Sequence, residues 1–379
     1  MWPGEGNVMR VAQFLVLIFS ITCFTGIDYA LSQNLSPLPG SIEGRVVDAE
    51  TGAPLQGAHV FLSGTKSGAV TNHAGRYRIQ NASPGTYRLV FSIIGYGRTA
   101  SQLTVSPGQN QIVHAKLNPV IYELGEIYAG NLDERWERHL ERFTRQFIGE
   151  TEMADSVKIL NPEVLRFETR WWGRFTAEAL APLQIENRAL GYLITYYLDD
   201  FYHSGIRTRW DGDPLFIEMT PESEEQARYW EENRRESFYG SLRHFFIALT
   251  EGRAEEDGFV IYNLRRETYG YSPRNKFRTS ADRLVSETDK DFLSNIRFNG
   301  RIEILYTEAP ETIDYIRWAR DIRRSPMRYQ TSYLELNERY ITIDPDGEVQ
   351  QTYGATRFGY FAYHRFADKT PRDYRPEGF

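Results

Sequence analysis

From Ser41 to about residue 118, apolar and polar positions alternate in short runs, most clearly at Gly44–Val47, Ala58–Leu62, Tyr77–Ile79 and Tyr87–Phe91. A period of two sends one set of side chains into a core and the other into water. Clusters of Gly, Pro, Asn and Thr divide the runs at intervals of roughly ten residues, the spacing of a β-sandwich. Gly52, Gly57, Gly75, Gly85 and Gly95 read as turn residues, because a backbone without Cβ reverses most freely. In the stretch Thr71–Ile79, Asn72 to Gly75 reads as a turn. Tyr77 and Ile79 then point into the core, Arg76 and Arg78 take the other face, and His73 is a turn residue.

Beyond a short linking strand at 119–130 the period changes. Leu132, Trp136, Leu140, Phe143 and Phe147 recur every three or four residues, the stripe of an amphipathic helix. Asn131 is its expected N-cap, Glu134 the capping-box partner and Gly149 its end. Residues 163–219 read as strands, with the best alternation at Tyr192–Leu198. Thr220 as N-cap and Pro221 at the first helical position predict a long helix, bent near Gly240, with Trp230, Phe238, Leu242, Phe245 and Leu249 inward. Four more strand patterns follow: 258–264, 301–307, 332–343 and 357–366. Asp344-Pro345-Asp346-Gly347 reads as a hairpin turn. The pattern predicts a multidomain chain, an all-β sandwich at 41–118 followed by a larger α+β domain at 131–379.

The N-terminus adds a compartment. Residues 11–24 are apolar, follow Met9-Arg10, and fall short of the roughly 20 residues that span a bilayer. Ala30-Leu31-Ser32 fits signal peptidase, so residues 1–32 read as a signal peptide with Gln33 the first mature residue. Met9 would serve equally as a start, since the eight residues before it add nothing a signal needs. Cys23, the only cysteine, lies inside this segment. Ser20 and Thr22 do not fit a lipoprotein acylation site, and the mature chain would carry no disulfide or thiolate chemistry. Expected locations are the periplasm or the outer-membrane surface.

Net charge is −7 and the Arg doublets are interleaved with Glu and Asp, so nothing points to nucleic acid. The 14% aromatic content favours β structure.

The run G-R-V-V-D-x-x-T-G-x-P-L-x-G-A-x-V-x-L, followed by G-A-x-T-N-x-x-G-x-Y-x-I and G-x-Y-x-L-x-x-S-x-I-G-Y, resembles the carboxypeptidase-regulatory-like domain. The resemblance implies a transthyretin-like β-sandwich, a module that accompanies a zinc peptidase in some proteins. In Gram-negative envelope proteins it also stands without one. A zinc carboxypeptidase needs a His-x-x-Glu pair and a later His. Three residues after His59, His73, His114, His139, His203, His244 and His364 stand Leu62, Arg76, Leu117, Arg142, Ile206, Ile247 and Ala367. None is Glu, and the peptidase reading fails. The larger domain resembles the region that follows this module in other exported proteins, a resemblance that carries no activity.

Several constellations could carry chemistry. Asp199 and Asp200 are neighbours on a strand and would point to opposite faces, which suits a strand-end cap better than a glycosidase pair. Asp211-Gly212-Asp213 and the Asp344/Asp346 turn offer carboxylates to Ca²⁺ but read as turns. Ser241 and His244 are three apart on a helix without a nucleophile elbow. Trp171, Trp172 and Trp210, with Tyr196 and Tyr197, could stack sugars. Arg234, Tyr239 and His244 lie in a polar segment that could hold a ligand. No cofactor is expected. The reading is a non-catalytic envelope binding or assembly protein, the sandwich docking and the larger domain recognising an envelope protein or glycan. Membrane association could come through a partner, the alternative being that the N-terminal segment is an uncleaved anchor. The alternatives are an envelope glycan hydrolase whose carboxylates come from distant strands, and a component of a receptor or secretion assembly.

Overall fold

A computed structural model describes residues 38–120 and 134–379, apart from 171–172, 206, 268–269 and 324. The signal segment, most of the linking strand, Leu132, Asn131, Trp171 and Trp172 lie outside the described residues.

The first layer pair is the expected sandwich. One sheet has β1 (Gly40–Asp48) between β4 (Arg76–Ala82) and the parallel strands β7 (Asn110–Ile112) and β8 (Ala115–Leu117). The other orders β3 (Gly68–Val70), β2 (His59–Leu62), β5 (Gly85–Ser92) and β6 (Thr99–Val105), all antiparallel. Ile42, Val46, Val60, Tyr77, Ile79, Leu89 and Phe91 fill the space between them. Along β4 the burial alternates, Tyr77 and Ile79 in, Arg76 and Arg78 out, as the pattern requires. The turn before it is an Asx turn: the Asn72 carboxamide oxygen accepts the N–H groups of Ala74 and Arg76 at 3.0 Å each. His73 is exposed beside it. Gly52, Gly57, Gly75 and Gly95 all have positive φ. Gly85 does not. It opens β5 as a buried strand residue, and a Cβ there would meet the Tyr87 ring at 3.3 Å. The tight φ > 0 position nearby is Asn81.

The larger region has two helix-covered antiparallel sheets. The first orders β10 (Leu165–Arg170), β11 (Arg174–Ala179), β13 (Tyr192–Ser204), β12 (Leu183–Asn187) and β9 (Val157–Ile159), with β14 (Arg207–Glu218) also on β13. Helix α1 (Glu134–Phe147) packs on it through Phe143 and Phe147, both fully buried, while Trp136 and Leu140 are only partly covered. Those two rings contribute roughly 1.5–3 kcal/mol each.

The long helix divides where Gly240 has φ +75, and a Cβ there would strike the Tyr306 ring at 2.7 Å. Helix α2 is Glu224–Phe238 and α3 is Leu242–Thr250. The first begins three residues later than expected, because the Ser223 hydroxyl, not Thr220, accepts the Gln226 N–H.

Helix α3 covers the second sheet, β16 (Gly270–Thr279), β15 (Phe259–Glu267), β19 (Arg301–Tyr306), β20 (Gln330–Leu336) and β22 (Ala355–Gly359). A small sheet of β17 (Val285–Glu287), β18 (Ser294–Ile296) and β21 (Ile341–Ile343) closes the core's edge. Helix α4 spans Ile313–Trp318. The expected strand 357–366 stops at Gly359, whose φ of +68 turns the chain into α5 (Tyr360–Tyr363). There Tyr360 stacks on Tyr315 and Tyr363 meets it edge-on, while Phe361 enters the main core.

Pro39–Phe379 forms one continuous unit. Among the described residues no helix is long and apolar enough to cross a membrane.

Candidate ligand cleft

The site begins with how the sandwich is held. Between Leu198 and Asp200 the β13–β14 register shifts by a bulge. Leu198 and Phe201 therefore both join the helix-side core, while Asp199 and Asp200 both leave it. The expectation that the two carboxylates face opposite ways fails for that reason. Arg88 of β5 donates to Asp199 at 2.6 Å, Asp211 at 3.1 Å and Asp213 at 3.0 Å, and Arg98 also reaches Asp199 and Asp213. Asp211-Gly212-Asp213 is thus strand interior committed to arginines, not a cation-binding turn. Burial pushes the Asp213 carboxyl up, and the two guanidiniums pull it only part of the way back.

Three further contacts hold the seam. Backbone bonds join Gly64 N–H to Pro214 O at 2.7 Å and Arg372 N–H to Gly64 O at 2.8 Å, and the Phe61 and Tyr197 rings stack at 5.7 Å. The Asp344 turn is where the sequence puts it, with Gly347 N–H on Asp344 O at 2.9 Å. Its carboxylates are engaged: Asp344 binds Arg372, and Asp346 accepts the Tyr87 hydroxyl at 3.2 Å. Among the described residues no group of three or more His, Cys, Asp or Glu side chains is placed to hold a metal.

Docked this way, the sandwich walls one side of a cleft of about 1030 Å³. Trp210, opposite Phe201 on β14, is half-buried with its edge on Phe147 at 5.8 Å. Two guanidiniums flank its ring, Arg357 at 5.6 Å and Arg365 at 5.9 Å from the centroid. Arg365 donates to Gln146 O, and its Nε has no partner. Among the described residues no carboxylate lies within 4 Å of the charged side-chain nitrogens of Arg357, Arg365 or Lys369, while Asp368 accepts the Arg365 backbone N–H at 3.0 Å. Glu348, the acid nearest in charge, is itself unpaired. Burial raises its pKa, but Lys369, Arg372, Arg243 and Arg357 outweigh that and leave it below its ordinary value. Burial, then the charge of Arg357, brings Arg365 down to about 10. Among the described residues eight Arg and Lys side chains line the cleft against four carboxylates, Asp211, Asp344, Glu348 and Asp368, so an anion gains energy there.

A second basic–aromatic group sits at the rim. Arg209 lies 5.1 Å from both the Tyr202 and Tyr353 rings and pairs with Asp200 at 3.2 Å. Tyr353 has φ +61, a strained conformation for a bulky residue, fixed by its hydroxyl on Asp200 at 2.9 Å.

Residues 42–128 match the CarboxypepD_reg-like domain family. The regulatory-like domain is therefore the wall that bears Arg88 and Arg98. Among curated proteins none matches the chain. Solved structures similar in part include a chain of an interface mutant of the type II cohesin–X-dockerin complex from Acetivibrio cellulolyticus, 21% identical over 30% of this chain and 79% of that one, TM-score 0.19. A minor pilin of Streptococcus agalactiae is 20% identical over 24% and 48%, TM-score 0.20. A proposed carbohydrate-binding protein from Bacteroides uniformis is 13% identical over 48% and 80%, TM-score 0.19. Likeness at these scores carries no functional weight.

Of the candidate ligand-binding residues Trp210 lines the cleft, and Asp211, Ser241 and Asp344 line it too, each already engaged by an arginine or the backbone. Trp171 and Trp172 lie outside the described residues. Tyr196 is buried against Phe147 and Phe366, and Tyr197 stacks on Phe61, so neither offers a free face. Arg234 is structural, donating to Leu190 O at 2.7 Å and lying over the Tyr192 ring. Tyr239 packs edge-on against Phe238 and His244. His244 is buried, and its Nδ1 accepts Gly240 N–H at 3.0 Å. Ser241 caps α3 by accepting His244 N–H at 3.1 Å, so this pair serves the backbone.

The sequence missed Arg357, Arg365, Lys369 and Glu348. They come from the middle of one strand, one turn and the loop after α5. Composition did not single them out, since 317–328 holds as many arginines as the last 25 residues hold Arg and Lys together.

Proposed function

We propose that this is an exported, non-catalytic binding protein of the cell envelope, which holds an anionic part of an envelope protein or glycan in the cleft. The regulatory-like domain is the docked wall that completes it. The observation that carries the reading is the excess of cations in the cleft, with Arg357, Arg365 and Lys369 free of side-chain ion pairs among the described residues, beside the half-buried Trp210. The absence of turnover is part of the same proposal. It is supported by the commitment of Asp199, Asp200, Asp211 and Asp213 to arginines and of Ser241 and His244 to the backbone. The test is titration of the purified protein with acidic and neutral envelope polysaccharides and peptides, with product release followed in parallel. Saturable binding of an acidic ligand, weakened by salt and without product, supports it. Product release, or binding indifferent to ligand charge, overturns it.

A further inference from the structure

Strand β22 ends its sheet. It pairs with β20 from Ser332–Gly359 to Leu336–Ala355, and among the described residues no strand lies on its other side. On the outer side of an antiparallel edge strand every second residue turns its N–H and C=O away from the ladder, a template for another chain. Ala355 to Gly359 all line the cleft, so the cleft runs along that edge.

The two faces of β22 differ. Arg357 is its middle residue and approaches Trp210. On the alternate positions Phe358 lies under Arg301 at 4.2 Å, and Thr356 bonds Asn337 at 2.9 Å. Arg365 and Lys369 line the same cleft and add charge there with no side-chain ion pair of their own among the described residues. Just before the strand, Tyr353 is held in its strained conformation by Asp200, which fixes the entrance to the edge.

We propose that β22 accepts an extended acidic peptide segment of its partner as an added strand. The proposal rests on the cleft being the binding site. A peptide satisfies the free backbone groups at every second residue, which a sugar chain does not, and its alternating side chains place carboxylates on the Arg357 side. Arg–carboxylate contacts then supply affinity and register.

The probe is an acetylated, amidated Glu-Val-Glu-Val-Glu-Val peptide titrated into the full chain at low salt. Its counterparts are the Gln-for-Glu peptide, the peptide N-methylated at alternate residues, and tetragalacturonate. The acidic peptide is expected to bind and to protect amides around 353–359 from exchange. Loss of its charge, its N-methylation, or the double variant Arg357→Gln/Lys369→Gln should each weaken binding by about tenfold or more, one charged pair's worth. Equal binding of the N-methylated peptide overturns strand addition while leaving the cleft as the site. So does tighter binding of tetragalacturonate at the same amides. A gain in binding in the Arg357→Gln protein overturns it too, because the arginine would then be guarding the edge. Protection confined to other surfaces overturns both this proposal and the cleft reading.

Discussion

Arg88 Nε lies 3.0 Å from the Oδ1 atom of Asp213, a fully buried carboxylate, across the seam between the sandwich and the β13–β14 hairpin. This pair, with Arg98, turns two packed units into one wall. Breaking a buried pair costs about 3–5 kcal/mol. The half-exposed arginines keep Asp199 and Asp211, so Asp213→Ala should cost less, about 2–4 kcal/mol. The urea midpoint checks this, and a change below about 0.5 kcal/mol would show that the seam does not depend on the pair.

A second prediction concerns the first turn. A Cβ on Gly75 would stand 2.4 Å from Val46 O, in a backbone with φ +70. Gly75→Val should therefore destabilise the protein by about 2 kcal/mol or more. Ligand affinity of the folded fraction should be unchanged, and lost affinity with unchanged melting would contradict it.

Acid should weaken the fold through two buried histidines. Burial, with the charge of Arg253, lowers the His244 pKa to about 3, and burial, with Arg142 and Arg365, lowers that of His203 to about 4. The unfolded chain binds these protons near pH 6.5 and the folded chain does not, so stability is full above that pH and falls toward pH 4. At pH 5 each histidine costs at most about 2 kcal/mol. Denaturant midpoints between pH 7 and 4 should show the decline. His244→Gln should flatten it by one proton, and an unchanged slope would assign the effect elsewhere.

Ser241 offers a discriminating variant. As the cap of α3 it should cost about 1 kcal/mol when replaced by Ala, with ligand binding intact. Loss of a hydrolytic activity on Ser241→Ala would contradict its role here.

The sandwich was legible because period-two burial and turn chemistry are local. Tyr77, Ile79 and the Asn72–Gly75 turn stand where the pattern puts them. Gly85 misled, since a glycine can serve close packing as well as a turn. The bulge at Leu198–Asp200 was not legible, because it depends on the pairing of β13 with β14 and reverses the reading of two carboxylates. The helix α5 was hidden for a similar reason: its aromatic run suits a strand until Gly359 turns it and Tyr315 stacks on Tyr360 at 4.1 Å. Trp210 was legible as an aromatic in search of a role. Arg357 and Arg365 were not, since only the fold brings them to its ring.

The central claim is that an acidic ligand sits in the cleft without being turned over. The most direct measurement is hydrogen exchange of the full chain with and without a saturating acidic ligand, with product analysis of the same sample. The account predicts protection confined to the segments around 207–213 and 348–359, needing about tenfold more ligand in Arg357→Gln/Lys369→Gln, and ligand recovered intact. Protection elsewhere, or ligand recovered as shorter fragments, would contradict it.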